Sequence, residues 1–194
     1  MIELLSEKIS TEEDAEFFIK SVKETKGIKC TRCGSNRQGY DINSKRWRCK
    51  DCNRAQALVS ETVMHATQLP CLYWLKVIYC FAVTPDTMRI KIVKEEIEPD
   101  ADDHRVWEMI QKIRSMISAY VDGNKQLFSK KKFAVEVKNR YPQFNKYYED
   151  ELKFKILIRE KEDWEKFTTL LDICMASRPP FKHQKYNSKL GPAE

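Results

Sequence analysis

The chain has 194 residues, of which 42% are hydrophobic and 33% charged, and a net charge of +6, so it can bury one sizeable core or two small ones. Its start, Met1-Ile2-Glu3-Leu4-Leu5-Ser6-Glu7, has neither a basic region nor a long apolar one, which argues against a signal peptide. The most apolar stretch, residues 70–83, is interrupted by Lys76 and is too short to span a bilayer. The expectation is a soluble, cytoplasmic, thiol-reduced protein with no membrane partner, a setting that favours metal binding over disulfides.

Taken in order, Ser10-Thr11-Glu12-Glu13 reads as a capping box, with Ser10 followed three residues later by Glu13. It opens a helix to about Glu24 whose apolar stripe is Ala15, Phe18 and Val22, with Phe17 beside them, and Gly27 stops it. Next come Cys30-Thr31-Arg32-Cys33 and, after fifteen residues, Cys49-Lys50-Asp51-Cys52. Two Cys-x-x-Cys pairs at that separation suit a four-thiolate zinc site, with Gly34 and Asn53 supplying the backbone freedom that a tight turn needs. Two disulfides or a redox thiol pair are the alternatives. Residues 38–42, 46–49 and 55–59 read as three short strands, the first two joined through Asn43-Ser44-Lys45. Together they outline a zinc ribbon, a sheet whose folding free energy comes mostly from its metal, on the order of 10 kcal/mol.

This segment is strongly basic. Residues 23–54 carry ten lysines and arginines against Glu24, Asp41 and Asp51, a local surplus of seven. Arg32, Arg37, Lys45, Arg46, Arg48, Lys50 and Arg54 are therefore candidate DNA contacts through phosphate, with Tyr40 and Trp47 among them. A solvated basic face that keeps a small domain soluble is the other reading.

Leu69-Pro70 announces a helix to Val83, apolar almost all round and suited to the centre of a bundle. A short helix over residues 87–96, a turn at Glu98-Pro99-Asp100 and a longer helix over residues 103–121 follow, the last striped by Val106, Met109, Ile110, Ile113 and Ile117. That order outlines a helix-turn-helix, and plain antiparallel packing of three helices gives the same pattern. Arg105, Lys112 and Arg114 are candidate DNA contacts on the longer helix, with His104 and Gln111 also within reach. Glu95, Glu96, Glu98, Asp100, Asp102 and Asp103 crowd its start and oppose phosphate, while Asp102 or Asp103 serves as the helix cap. Lone His65 and His104 read as surface residues; Cys71, Cys80 and Cys174 read as core cysteines.

Residues 125–155 hold nine lysines and arginines against Glu136, Glu149, Asp150 and Glu151, with Phe133, Tyr141, Phe144, Tyr147 and Tyr148 interspersed. This mixture suits nucleic-acid contact or ordinary core. Residues 152–158 read as a strand, and Asp163 as the cap of a helix carrying Trp164, Phe167, Leu170, Leu171 and Cys174 on one face. Arg178-Pro179-Pro180 ends that helix and a loose basic tail follows.

Thr11-Glu12-Glu13-Asp14-Ala15, Cys30-x-x-Cys33-Gly34-Ser35, Arg46-Trp47-Arg48-Cys49-Lys50-Asp51-Cys52, Leu69-Pro70-x-x-x-Trp74 and Trp107-x-Met109-Ile110-x-x-Ile113-Arg114 stand in one order. Over residues 8–118 this order resembles the amino-terminal region of the ISXO-like insertion-sequence transposases. The resemblance implies a zinc ribbon plus helix-turn-helix that recognises the DNA ends of a mobile element. It also implies a following metal-dependent nuclease domain with three acidic residues, and here the chain departs. Ala119-Tyr120-Val121-Asp122-Gly123 replaces the strand with its Asp-Glu-Thr-like context, and the 71 residues beyond are too few for a ribonuclease-H-like fold. Glu61 stands where the family has glycine, and Gln68 where it has lysine. Asp122, Asp150 and Asp163 read as surface residues or helix caps, so no catalytic residue is assigned.

The expected fold is mainly α with a small β zinc ribbon. It comprises an N-terminal helix (1–26), a zinc ribbon (27–62), a helix-turn-helix-like helical domain (63–123) and an unassigned α+β C-terminal segment (124–194). The expected function is that of a zinc-dependent DNA-binding protein derived from a transposase, not an enzyme, acting as regulator or accessory factor. A protein-interaction module docking on a larger nucleic-acid-processing complex is the alternative.

Overall fold

The computed structural model describes residues 1–136 and 145–180. Within them the chain is mainly helical, with one antiparallel sheet of strand order β1-β2-β3. After a short helix α1 (Glu3–Lys8), α2 (Glu12–Lys26) begins one residue later than the Ser10/Glu13 pair suggested. Thr11 is the cap: its hydroxyl accepts from the Asp14 amide at 3.1 Å, and the Asp14 carboxylate accepts from the Thr11 amide at 3.0 Å. Bonds from the Thr11 hydroxyl and amide, and from Ser10, hold the Asp14 carboxyl below its ordinary range. Ala15 and Ile19 are buried, Phe18 and Val22 pack at the edge of the core, and Phe17 stands 70% exposed.

Strands β1 (Gln38–Asp41), β2 (Arg46–Cys49) and β3 (Ala55–Ala57) pair with Gly39, Arg48 and Ala55 abreast, Tyr40, Trp47 and Gln56 abreast, and Asp41, Arg46 and Ala57 abreast. One face of the sheet therefore carries Tyr40, Trp47 and Gln56 and lies against α2. Tyr40 and Trp47 meet at 4.7 Å between ring centroids, and the Lys20 ammonium sits 5.3 Å from the Tyr40 ring. The Lys23 ammonium ties α2 to the end of β3 by donating to the Leu58 and Ser60 carbonyls at 2.8 Å each.

Helix α3 (Cys71–Val83) buries nearly its whole circumference, as its unbroken apolar run requires. Pro70 precedes it without a capping side chain, and α2 supplies the cap instead. The Glu12 carboxylate accepts from the Cys71 and Leu72 amides at 2.7 and 2.8 Å. Helix α4 (Ile90–Glu96) is followed by α5 (Asp103–Gly123), capped by Asp102 through the Arg105 amide at 2.9 Å. A single turn α6 (Lys125–Phe128) and a 3-10 turn (Lys131–Phe133) lead to the segment 137–144, outside the described residues; α7 (Asn145–Ile158) and α8 (Asp163–Cys174) complete the bundle. Helix α5 packs on α4, α7 and α8, while α3 packs on α2, α4 and α8, and one hydrophobic cluster runs from Leu5 to Met175. Cys71, Cys80 and Cys174 lie in that cluster, as expected of core cysteines.

Further expectations are overturned. Residues 152–158 are helical, so the described C-terminal segment is α rather than α+β: Glu151, Phe154, Lys155 and Ile158 face inward at helical spacing. The alternation of lysines with apolar residues misled because Lys155 is itself buried, its ammonium bonding the Phe81 and Thr84 carbonyls at the end of α3. Asp150 is buried rather than superficial, accepting from the Ser118 hydroxyl at 2.7 Å and from Lys146 at 2.5 Å. Glu162, not Asp163, precedes α8; Asp163 is its first residue and pairs with Lys166 at 2.9 Å. Arg114 is only 2% exposed and is withdrawn as a DNA contact. Its Nε donates to Glu151 at 2.7 Å and a terminal nitrogen donates to the Met88 carbonyl at 2.7 Å, while Tyr148 covers the guanidinium at 4.0 Å.

Candidate metal centre and basic sheet face

The four cysteines named from spacing converge. The sulfurs of Cys30, Cys33, Cys49 and Cys52 all lie within 4.8 Å of one another, with Cys30 and Cys52 at 3.5 Å and Cys33 and Cys49 at 3.6 Å. The backbone builds this from two copies of one turn. In the first, the Gly34 amide donates to the Cys30 carbonyl at 2.9 Å and the Cys30 amide to the Ser35 carbonyl at 2.9 Å. In the second, the Asn53 amide donates to the Cys49 carbonyl at 3.0 Å and the Cys49 amide to the Arg54 carbonyl at 2.9 Å. Gly34 and Asn53 occupy the matching left-handed positions, with φ of 71° and 60°. Asparagine tolerates that region better than most side chains, which is why it serves where the first turn has glycine.

Backbone amides aim at the sulfurs. Those of Cys33 and Arg32 hold the Cys30 thiol below its ordinary range, and those of Cys52 and Asp51, against the opposing effect of burial, bring Cys49 down to about 6. Cys33 is pushed up to about 12: the Ser35 amide favours its thiolate but is outweighed by the neighbouring cysteines and by desolvation. Four sulfurs at these separations can hold one metal ion, since a tetrahedron with metal–sulfur bonds of about 2.3 Å has edges of about 3.8 Å.

The sheet face opposite Trp47 carries Arg46 and Arg48. Arg46 and Arg48 are exposed, and the residues abreast of them are Asp41 and Ala57, Gly39 and Ala55. Small neighbours leave the guanidinium groups standing above a flat surface. Asp41 does not pair with them, because its carboxylate closes the hairpin, accepting from the Asn43 amide at 3.0 Å and the Ser44 hydroxyl at 2.8 Å. Arg48 donates to Asn53 at 3.3 Å, whereas Arg32, Arg46, Lys50 and Arg54 are exposed and make no ion pair among the described residues. Arg37 and Lys45 are committed, to Asp51 at 2.7 Å and to Glu16 at 2.6 Å.

Arg105 and Lys112 lie apart from the sheet, on the accessible side of α5, and line a cleft with residues 65–69. The carboxylates of Glu95, Glu98, Asp100 and Asp102 are exposed at the entry to α5, and Asp103 pairs with Lys94 at 2.6 Å. Lys146 and Lys153 pair with Asp150, and Phe133 is core, so much of the described basic C-terminal stretch is structural. Tyr141, Phe144 and the tail beyond Pro180 lie outside the described residues. No helix among the described residues is long and apolar enough to cross a membrane. Comparison with known protein families, curated proteins and solved structures finds no match to this chain.

Proposed function

We propose that the four cysteines bind zinc and that the sheet they order is a zinc ribbon that binds DNA through its phosphates. One observation carries the reading. Arg46 and Arg48 project side by side from a face built largely of glycine and alanine, with Lys50 beside Gly39 at its edge, and Arg32, Arg46, Lys50 and Arg54 of the same segment are exposed without an ion-pair partner among the described residues. Folding has no need for such a face, whereas binding a polyanion does. Four thiolates complete zinc's tetrahedral coordination and leave no position for water, so the metal's part is structural, and the role proposed for the protein is that of a regulator or accessory factor. The motif order that resembles the ISXO-like transposases supports DNA as the polyanion.

Helix α5 contributes less than a recognition helix ordinarily does. Although α4, the turn and α5 follow the order of a helix-turn-helix, α7 and α8 cover α5 and four exposed carboxylates guard its start. Sequence-independent contact through the sheet is therefore the principal mode. The test is the salt dependence of duplex binding by the zinc-loaded protein. Arg46→Glu/Arg48→Glu is expected to lower the slope of log affinity against log salt by about two, roughly 0.9 for each phosphate no longer neutralised. An unchanged affinity and slope would refute the reading. The exposed carboxylates favour a second one, in which that edge docks a basic protein surface. Charge reversal at Glu98 and Asp100 would then abolish capture of the partner without weakening DNA binding.

A further inference from the structure

A cleft of about 520 Å³ opens between the loop after β3, the first half of α5 and the segment after α8. That volume suits a small-molecule ligand, for which roughly 300–1,000 Å³ is usual. Its lining holds three cationic side chains and one carboxylate. Arg105 and Lys112 are seven residues apart on one face of α5, and Arg178 also lines the cleft, while the acid in the lining is Glu108. Arg178 is held there by Glu61, to which its Nε donates at 2.7 Å.

Thr67 adds an observation independent of the charges. Its hydroxyl oxygen already accepts from the Trp74 indole at 3.0 Å and from the Leu69 amide at 3.1 Å. Both acceptor positions are used, so the hydroxyl hydrogen is left as a donor with no acceptor among the described residues. The residue is half-buried, so that hydrogen is available to water or to a ligand in the cleft. Leu69, Met109 and Pro179 supply an apolar wall beside these polar groups.

We infer that this cleft binds a phosphate-bearing ligand of mononucleotide size. The phosphate lies among Arg105, Lys112 and Arg178, the Thr67 hydroxyl donates to it or to the attached sugar, and the base or sugar covers the apolar wall. Planar guanidinium groups and a point-charge ammonium are the usual partners of phosphate oxygens. The phosphate has two possible sources, a free nucleotide or one residue of a single strand. The inference stands apart from the sheet reading, because none of these residues lies on the sheet.

Calorimetric titration of the full-length zinc-loaded protein with deoxyadenosine monophosphate and with a short single-stranded oligonucleotide tests it. Arg105→Gln/Lys112→Gln serves as the variant, and its circular dichroism should match wild type because neither side chain is in the core. Binding of the mononucleotide that weakens about tenfold or more in the variant, a change of roughly 1.4 kcal/mol, supports a free nucleotide. Binding of the oligonucleotide alone, with the same weakening, supports a strand. Absence of binding by either probe, or equal binding by variant and wild type, overturns the inference. Arg46→Glu/Arg48→Glu leaves mononucleotide binding intact if the cleft is the site, which separates its outcome from that of the sheet.

Discussion

Arg114 and Lys155 are both removed from water, and each finds its partners far along the chain. Arg114 and Glu151 form a pair with side-chain exposures of 3% and 0%, and both also bond the backbone of Met88, so they fasten the α3–α4 connection to α5 and α7. Removing one partner strands the other charge: Glu151→Ala is expected to cost about 3–5 kcal/mol by denaturant unfolding, with replacement of both partners by apolar residues costing less. Lys155 titrates in an accessible range. Burial pushes its ammonium down to about 8, with Glu151 opposing and too weak to restore it. Because the unfolded chain holds that proton up to a pH of about 10.4, it binds more protons than the native state between the two values, and native stability rises with pH there. Wild type is therefore expected to gain stability relative to Lys155→Met on going from pH 8 to about 10.4, by roughly 1.4 kcal/mol per unit at most. Unfolding curves for both proteins across this range check the sign.

At the level of elements, the sheet and the helices owe their order to different things. Trp47, Cys30 and Cys49 are buried, yet they lie outside the hydrophobic cluster that joins the helices. Chelation, or Cys49→Ser, is expected to abolish amide-exchange protection in β1–β3 while α3, α5 and α8 keep theirs. Helix α3 depends on a side chain from elsewhere, so Glu12→Ala should cost about 1 kcal/mol in thermal or chemical unfolding. The same elements mark what was legible in the sequence. The cysteine turns, the left-handed Gly34 and Asn53, and the strand pair of residues 38–49 rest on neighbours a few positions away, and their spacing announced them. Arg105 and Lys112 were legible as basic, but the cleft joining them to Thr67 and Arg178 had no local signal. The Glu12 cap spans 59 positions and the Lys155 bond to Phe81 spans 74, so neither left a trace in local patterning. Residues 152–158 alternate like a strand because the sequence conceals that Lys155 is an inward-facing residue.

Over the whole molecule, charge is divided between surfaces. The cysteine-bearing segment exposes Arg32, Arg46, Arg48, Lys50 and Arg54, whereas the entry to α5 exposes Glu95, Glu98, Asp100 and Asp102. This division predicts that a polyanion meets the molecule at the sheet segment rather than at the entry to α5. Mapping duplex DNA onto the zinc-loaded protein by amide chemical-shift changes tests this division most directly. The largest changes are expected on residues 32, 46–50 and 54, with residues 95–103 unmoved. Changes centred on residues 95–103, or spread evenly with none larger on the sheet, would contradict it.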